Sequence, residues 1–178
     1  MLTEPLPTTL DVRKAAAREV AVSGVVELTS LPRLCSALAS ENGHIEARCE
    51  FGRDEENRFL VAVEVNAELE VRCQRCLEAM PITLRSDSRL AIVGDDEAAK
   101  QLPAELDPWV VEGESGDLWA LVEDELILEI PIFAAHDVGD CKQLMDEYRQ
   151  EPEDPADDAD NPFKVLEQLK AGTSQQET

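Results

Sequence analysis

The sequence predicts an α+β fold: an antiparallel sheet of three or more strands with packed helices and an acidic C-terminal tail. Three observations carry that expectation. From Phe59 the odd positions Phe59, Val61, Val63, Val65, Ala67, Leu69, Val71 and Cys73 are apolar, while the even positions carry Glu64, Asn66, Glu68, Glu70 and Arg72. Period two over that length is a long strand with one dry face. After Pro81, the residues Ile82, Leu84, Leu90 and Ile92 alternate with Thr83, Arg85, Asp87 and Arg89, so a second strand returns beside the first. Past Cys141 the character changes to an acidic, proline-containing run with little to bury.

The remaining elements follow in chain order. Val20, Val22, Val26 and Leu28 suggest a further strand in which Gly24 marks a bend or bulge. Ser30-Leu31-Pro32 is a helix start, with Leu34, Cys35 and Leu38 at helical spacing, and this helix is expected to cover the dry face of the sheet. Gly43 closes it, and His44 reads as an exposed turn residue. Ile45, Ala47, Cys49 and Phe51 alternate again and reach Phe59 through the polar turn at residues 52–57. Residues 94–116 show no sustained period and read mostly as loop. Asp117 can cap a helix through Leu128 that is apolar nearly all round, although the alternation of Leu126, Leu128 and Ile130 also allows an extended end. Pro131 ends either structure.

These elements make a single α+β domain over residues 1–145, an acidic linker over 146–160, a short helical docking motif over 161–170 and a disordered end over 171–178. In the motif, Asn161 can cap and Pro162 suits the first helical position, while Phe163, Leu166 and Leu169 share a stripe. A tethered stripe of this kind can fold into the groove of a partner.

Composition narrows the function classes. The 178 residues hold 16 Lys and Arg against 39 Asp and Glu, a formal net charge of -23. Phosphate backbones repel such a chain, so a basic partner protein is an easier match than nucleic acid at large. No apolar run approaches the roughly 20 residues that span a bilayer, so no membrane association is expected. The start of the chain lacks a basic flank and an apolar signal core, and the five cysteines form no disulfide-rich pattern. A reducing cytoplasm is therefore the expected location.

The chemistry concentrates in Cys73-Gln74-Arg75-Cys76, answered downstream by His136 and Cys141. A two-residue gap lets one tight turn aim two thiolates at a single ion, and a second loop can add an imidazole and a third thiolate. Cys3His is thus a candidate zinc site, placed by the strand pattern at a hairpin tip. Gln74 and Arg75 at that tip are candidate contacts to RNA or to a partner. The same Cys-x-x-Cys can serve thiol-disulfide exchange if a helix N-terminus or a cation lowers a thiol pKa, but Leu77-Glu78-Ala79-Met80-Pro81 is a poor helix start. Cys35 and Cys49 sit on apolar stripes and read as core. Glu123-Asp124-Glu125 suggests a magnesium site for RNA cleavage, yet adjacent helical residues point to different faces. Neither histidine has a visible nucleophile partner, and there is no glycine-rich phosphate loop.

Four ordered motifs resemble the YceD-like family, whose members are called large ribosomal RNA subunit accumulation proteins. They are Val71 to Leu77 around the cysteine pair, Asp117 to Leu128, Pro131 with His136 and Cys141, and Asn161-Pro162-Phe163 with Leu166 and Leu169-Lys170. Leu10-Asp11 also fits, so the resemblance runs along nearly the whole chain. It implies a non-catalytic role in accumulation, processing or stability of large-subunit ribosomal RNA, through a precursor particle, its RNA or a basic ribosomal protein. It also implies metal binding at Cys73, Cys76, His136 and Cys141, with zinc as the cofactor.

Overall fold

A computed structural model describes residues 4–137 and Cys141. The chain divides into two compact units, Met1–Asp140 and Cys141–Thr178, and the fold described is that of the first. The linker at 146–160, the docking motif with Asn161, Pro162, Phe163, Leu166 and Leu169, and the end at 171–178 lie outside the described residues.

The elements are β1 (Thr9–Asp11), α1 (Val12–Ala17), β2 (Ala21–Val26), α2 (Pro32–Ala37), β3 (His44–Arg53), β4 (Phe59–Arg72), β5 (Ala79–Val93), α3 (Asp96–Ala99), β6 (Asp107–Val110), β7 (Ser115–Asp117) and α4 (Leu118–Glu129). The main sheet has the order β2-β3-β4-β5-β6. It is antiparallel except for the β5–β6 pair, which is parallel. β1 and β7 form a separate two-stranded ribbon.

The period-two pattern becomes geometry in β4. Val61, Val63, Val65, Ala67, Leu69, Val71 and the following Cys73 are all buried, while Glu64, Asn66, Glu68 and Arg72 face out. Ile45, Ala47, Cys49 and Phe51 of β3 continue the same dry face. α1 and α4 cover it, joined in one core by Val12, Leu118, Val122 and Leu126. Each large apolar side chain so buried contributes roughly 1.5–3 kcal/mol.

Several expectations are corrected. The helix after Pro32 packs mainly on α4 and the turn before it, so α2 is a buttress and not the principal cover of the sheet. The cover instead includes α1, capped by the Asp11 carboxylate on the Lys14 N–H, whose six residues are too few to display a period. Gly24 marks neither bend nor bulge, because β2 and β3 pair without interruption from Ala21↔Glu50 to Val26↔Ile45. It is needed because the N-terminal segment crosses it: a Cβ there would lie 2.3 Å from the Leu6 backbone nitrogen. The Leu6 N–H donates to the Val25 carbonyl, and the Val25 N–H to that of Glu4. His44 opens β3 beside Glu46 instead of sitting in a turn. Residues 94–116 are mostly loop, as expected, broken by the short α3, by β6 with Pro108 inside it and by the first two residues of β7.

Asp117 caps α4 as expected, accepting from the Trp119 and Ala120 N–H groups. α4 remains helical to Glu129, and Ile130 turns extended before Pro131. Two of its buried residues are acidic, Glu123 and Glu125. Unpaired, each buried carboxylate would cost several kcal/mol. Glu123 accepts instead from the backbone N–H groups of Arg33 and Leu34 at the start of α2 and from Arg33 Nε, at 2.8, 3.1 and 2.8 Å. Glu125 accepts from the Ser86 hydroxyl on β5. α4 is thereby tied to both α2 and the sheet, which sets where its C-terminal loop emerges.

Candidate metal centre

The β4–β5 hairpin has its tip at Cys73–Glu78. The Cys73 N–H donates to the Glu78 carbonyl and the Leu77 N–H to the Cys73 carbonyl, at 2.8 and 2.9 Å. Leu77 completes the turn in the left-handed region, with φ of 65°. That conformation is an outlier for a bulky side chain. It curls the backbone so that N–H groups of the turn converge on the Cys73 sulfur.

The loop after Pro131 is fastened to this tip. The Gln74 N–H donates to the Ala134 carbonyl at 2.8 Å, and the Gln74 side-chain amide to the Ile132 carbonyl at 3.1 Å. The His136 N–H reaches the Cys73 Sγ at 3.4 Å, and the His136 Nδ1 lies 3.4 Å from the Cys76 Sγ. The Cys141 sulfur joins the same group, and the four ligand atoms of Cys73, Cys76, His136 and Cys141 all lie within 4.8 Å of one another. Cys73 and Cys141 are buried, while Cys76 and His136 are half-buried.

This donor set fits zinc. Bond lengths near 2.3 Å to sulfur and 2.0–2.1 Å to imidazole imply tetrahedral separations of about 3.8 Å between sulfurs and about 3.6 Å from sulfur to nitrogen. A cysteine binds a metal as its thiolate, and the site favours one at Cys73. Burial pushes that thiol pKa up, but the N–H groups of Cys76, His136 and Arg75 more than offset it and bring the value down to about 5. When bound, zinc would hold the hairpin and the downstream loop together.

The other cysteines lie away from this group. Cys49 is buried, and burial foremost, with the Glu125 charge behind it, pushes its thiol up to about 12. Cys35 is only half-buried, at the rim of the core and not within it, and its thiol donates to the Leu28 carbonyl. The acids at 123–125 diverge: Glu123 faces α2, Glu125 faces Ser86, and Asp124 pairs with the Arg33 guanidinium at the surface. Arg75 is exposed, with no side-chain hydrogen bond or ion pair among the described residues. Gln74 donates its side-chain amide to the Ile132 carbonyl at the surface, a role that the sequence does not signal because its partner is a backbone carbonyl.

Fold and site together define an α+β protein with a candidate Cys3His metal centre at a hairpin tip. The chain belongs to the family described as Large ribosomal RNA subunit accumulation protein YceD, whose model matches residues 61–170. That stretch contains all four donors. The chain is 30% identical over 169 residues to the Large ribosomal RNA subunit accumulation protein YceD of Haemophilus influenzae, spanning 93% of this chain and 96% of the relative. No solved structure matches it. Among the described residues no helix is long and apolar enough to cross a membrane.

Proposed function

We propose that this chain is a non-catalytic factor for large ribosomal subunit biogenesis, acting in the cytoplasm. It supports accumulation or processing of large-subunit ribosomal RNA by binding a precursor particle through a basic ribosomal protein. The observation that carries this reading is membership of the accumulation-protein family, with a relative of that name aligned along nearly the full chain. The net charge of -23 supplies a mechanism. An acidic surface can shield a cationic ribosomal protein, or hold it near nascent RNA, without itself competing for phosphate.

In this reading, zinc at Cys73, Cys76, His136 and Cys141 is structural. Residues 1–145 form the folded domain, and 146–160 tether the motif at 161–170, whose Phe163, Leu166 and Leu169 dock on a partner. Arg75, exposed at the hairpin tip, is the candidate point of contact with RNA.

Depletion of the protein should lower mature large-subunit RNA relative to small-subunit RNA. Restoring the wild type should recover the ratio, and Phe163→Ala with Leu166→Ala should not. An unchanged ratio on depletion, or multiple-turnover processing of precursor RNA by the purified protein, would refute the proposal. Arg75→Glu should reduce crosslinking to RNA if the tip touches phosphate.

A further inference from the structure

Large apolar side chains are exposed at the metal-centre end of the domain in a way the fold does not require. Ile132 is 98% exposed, Leu77 67% and Phe133 64%. Leu128, in the last turn of α4, is exposed as well. Among the described residues the only other large apolar side chain so exposed is Val110. Single exposed apolar residues are ordinary, but a group of them on one rigid feature marks an interaction site. The bonds already described bring together the backbone segments that carry Leu77, Ile132 and Phe133. Gln74 holds Ile132 and Ala134 against the hairpin tip, and Leu77 stands at the same tip. Phe133 is one of only four phenylalanines in the chain. An aromatic side chain held on a fastened loop gives contact area at low cost in conformational entropy.

The surroundings identify the partner's chemistry. Glu78 follows Leu77, Glu129 follows Leu128 and Asp137 follows His136, and all three acids are exposed, as are two cations, Arg75 at the tip and Arg85, which lines a cleft with Glu129 and Pro131. The acids are in excess there, as they are over the whole chain with its net charge of -23, and an apolar centre with such a rim suits a segment that brings apolar side chains flanked by lysine or arginine. We propose that Leu77, Ile132 and Phe133 form a docking surface for a cationic, amphipathic segment of a partner protein. The inference deepens the function proposed above, and it rests on that reading for the partner's being a basic ribosomal protein. The metal-centre turn then has a second role as the rigid mount of the surface.

The test uses the full chain and two fluorescent peptides, one of lysines with leucines at helical spacing and one with the same lysines but serine in place of leucine. At physiological salt the leucine peptide should bind the wild type at least about tenfold more tightly than the serine peptide. Ile132→Ser with Phe133→Ser should remove that advantage without lowering the melting temperature, since both side chains are exposed. Equal binding of the two peptides, or an unchanged preference in the double variant, would overturn the proposal. So would a self-association that the double variant abolishes, which would make a second copy the occupant. A comparable gain in peptide affinity on Phe163→Ser with Leu166→Ser would make it the chain's own C-terminal motif. Tight binding of a single-stranded RNA, lost in the double variant, would likewise count against a protein partner. Peptide binding is read on the purified protein and the RNA ratio in cells, so either can fail while the other stands.

Discussion

The carboxylate of Glu123, midway along α4, accepts the backbone N–H of Leu34 at 3.1 Å across a separation of 89 residues. A buried acid thus does for α2 what a capping side chain ordinarily does from within its own helix. Because α4 delivers the loop that carries His136, the contact also stabilises the geometry of the candidate metal centre.

Glu123→Gln is expected to cost about 2 kcal/mol, in the range for hydrogen bonds to a charged group. Asp124→Asn should cost far less, because that pair lies at the surface. The loss at Glu123 should depend on pH. Burial raises its pKa, but the Leu34 N–H, the Arg33 guanidinium and the Arg33 N–H more than reverse this, holding it below the ordinary 4.5. A lowered folded pKa stabilises fully above the unfolded value and is lost as pH falls through the folded one. Urea melts of wild type and variant should therefore converge below pH 4.5; a gap that widens with acid would disprove the account.

Metal analysis of protein purified without chelator should find one zinc per chain, and Cys73→Ser or Cys141→Ser should abolish stoichiometric binding. Structural zinc supplies a large share of folding energy in small metal-dependent domains. Even about 4 kcal/mol lost on chelation would lower Tm by about 10 °C in a chain of this size. A Tm indifferent to chelator would rule out a structural ion.

Leu77→Gly should stabilise the hairpin tip. The left-handed conformation costs a non-glycine residue roughly 1–2 kcal/mol, and glycine gives back about 0.5–1 kcal/mol through its freer unfolded chain. Little burial is lost, so Tm should rise by about 2 °C. The same substitution should weaken leucine-peptide binding. A fall in Tm would show that Leu77 packs more than its exposure indicates.

Gly24→Ala should detach the N-terminal segment from β2. The added carbon meets backbone atoms of Leu6 and Glu4 at 2.3 and 2.7 Å, which cannot yield as a side chain would. A cost of about 1–3 kcal/mol is expected, typical of overpacking. Amide exchange should quicken at Leu6 and Val25, whereas protection as in the wild type would contradict the close approach.

What the sequence by itself determined is what repeats locally or is carried by side-chain type. The alternation of Phe59 to Cys73 specified β4, its dry face and the delivery of Cys73 to the end of that face. Asp117 announced the start of α4, and three thiols with an imidazole announced the kind of ion to seek. Tertiary structure decided the rest, because the forces involved leave no periodic trace. α1 and β6 are too short to show a pattern. Glu123 and Glu125 look like surface residues until Leu34, Arg33 and Ser86 are brought to them. The convergence of His136 on Cys73 and Cys76 depends on bonds spanning about sixty residues, one of them, from Gln74 to Ala134, between backbone atoms that every sequence possesses. The donors were legible as chemistry; their meeting point was set by the packing of α4 and the left-handed turn at Leu77.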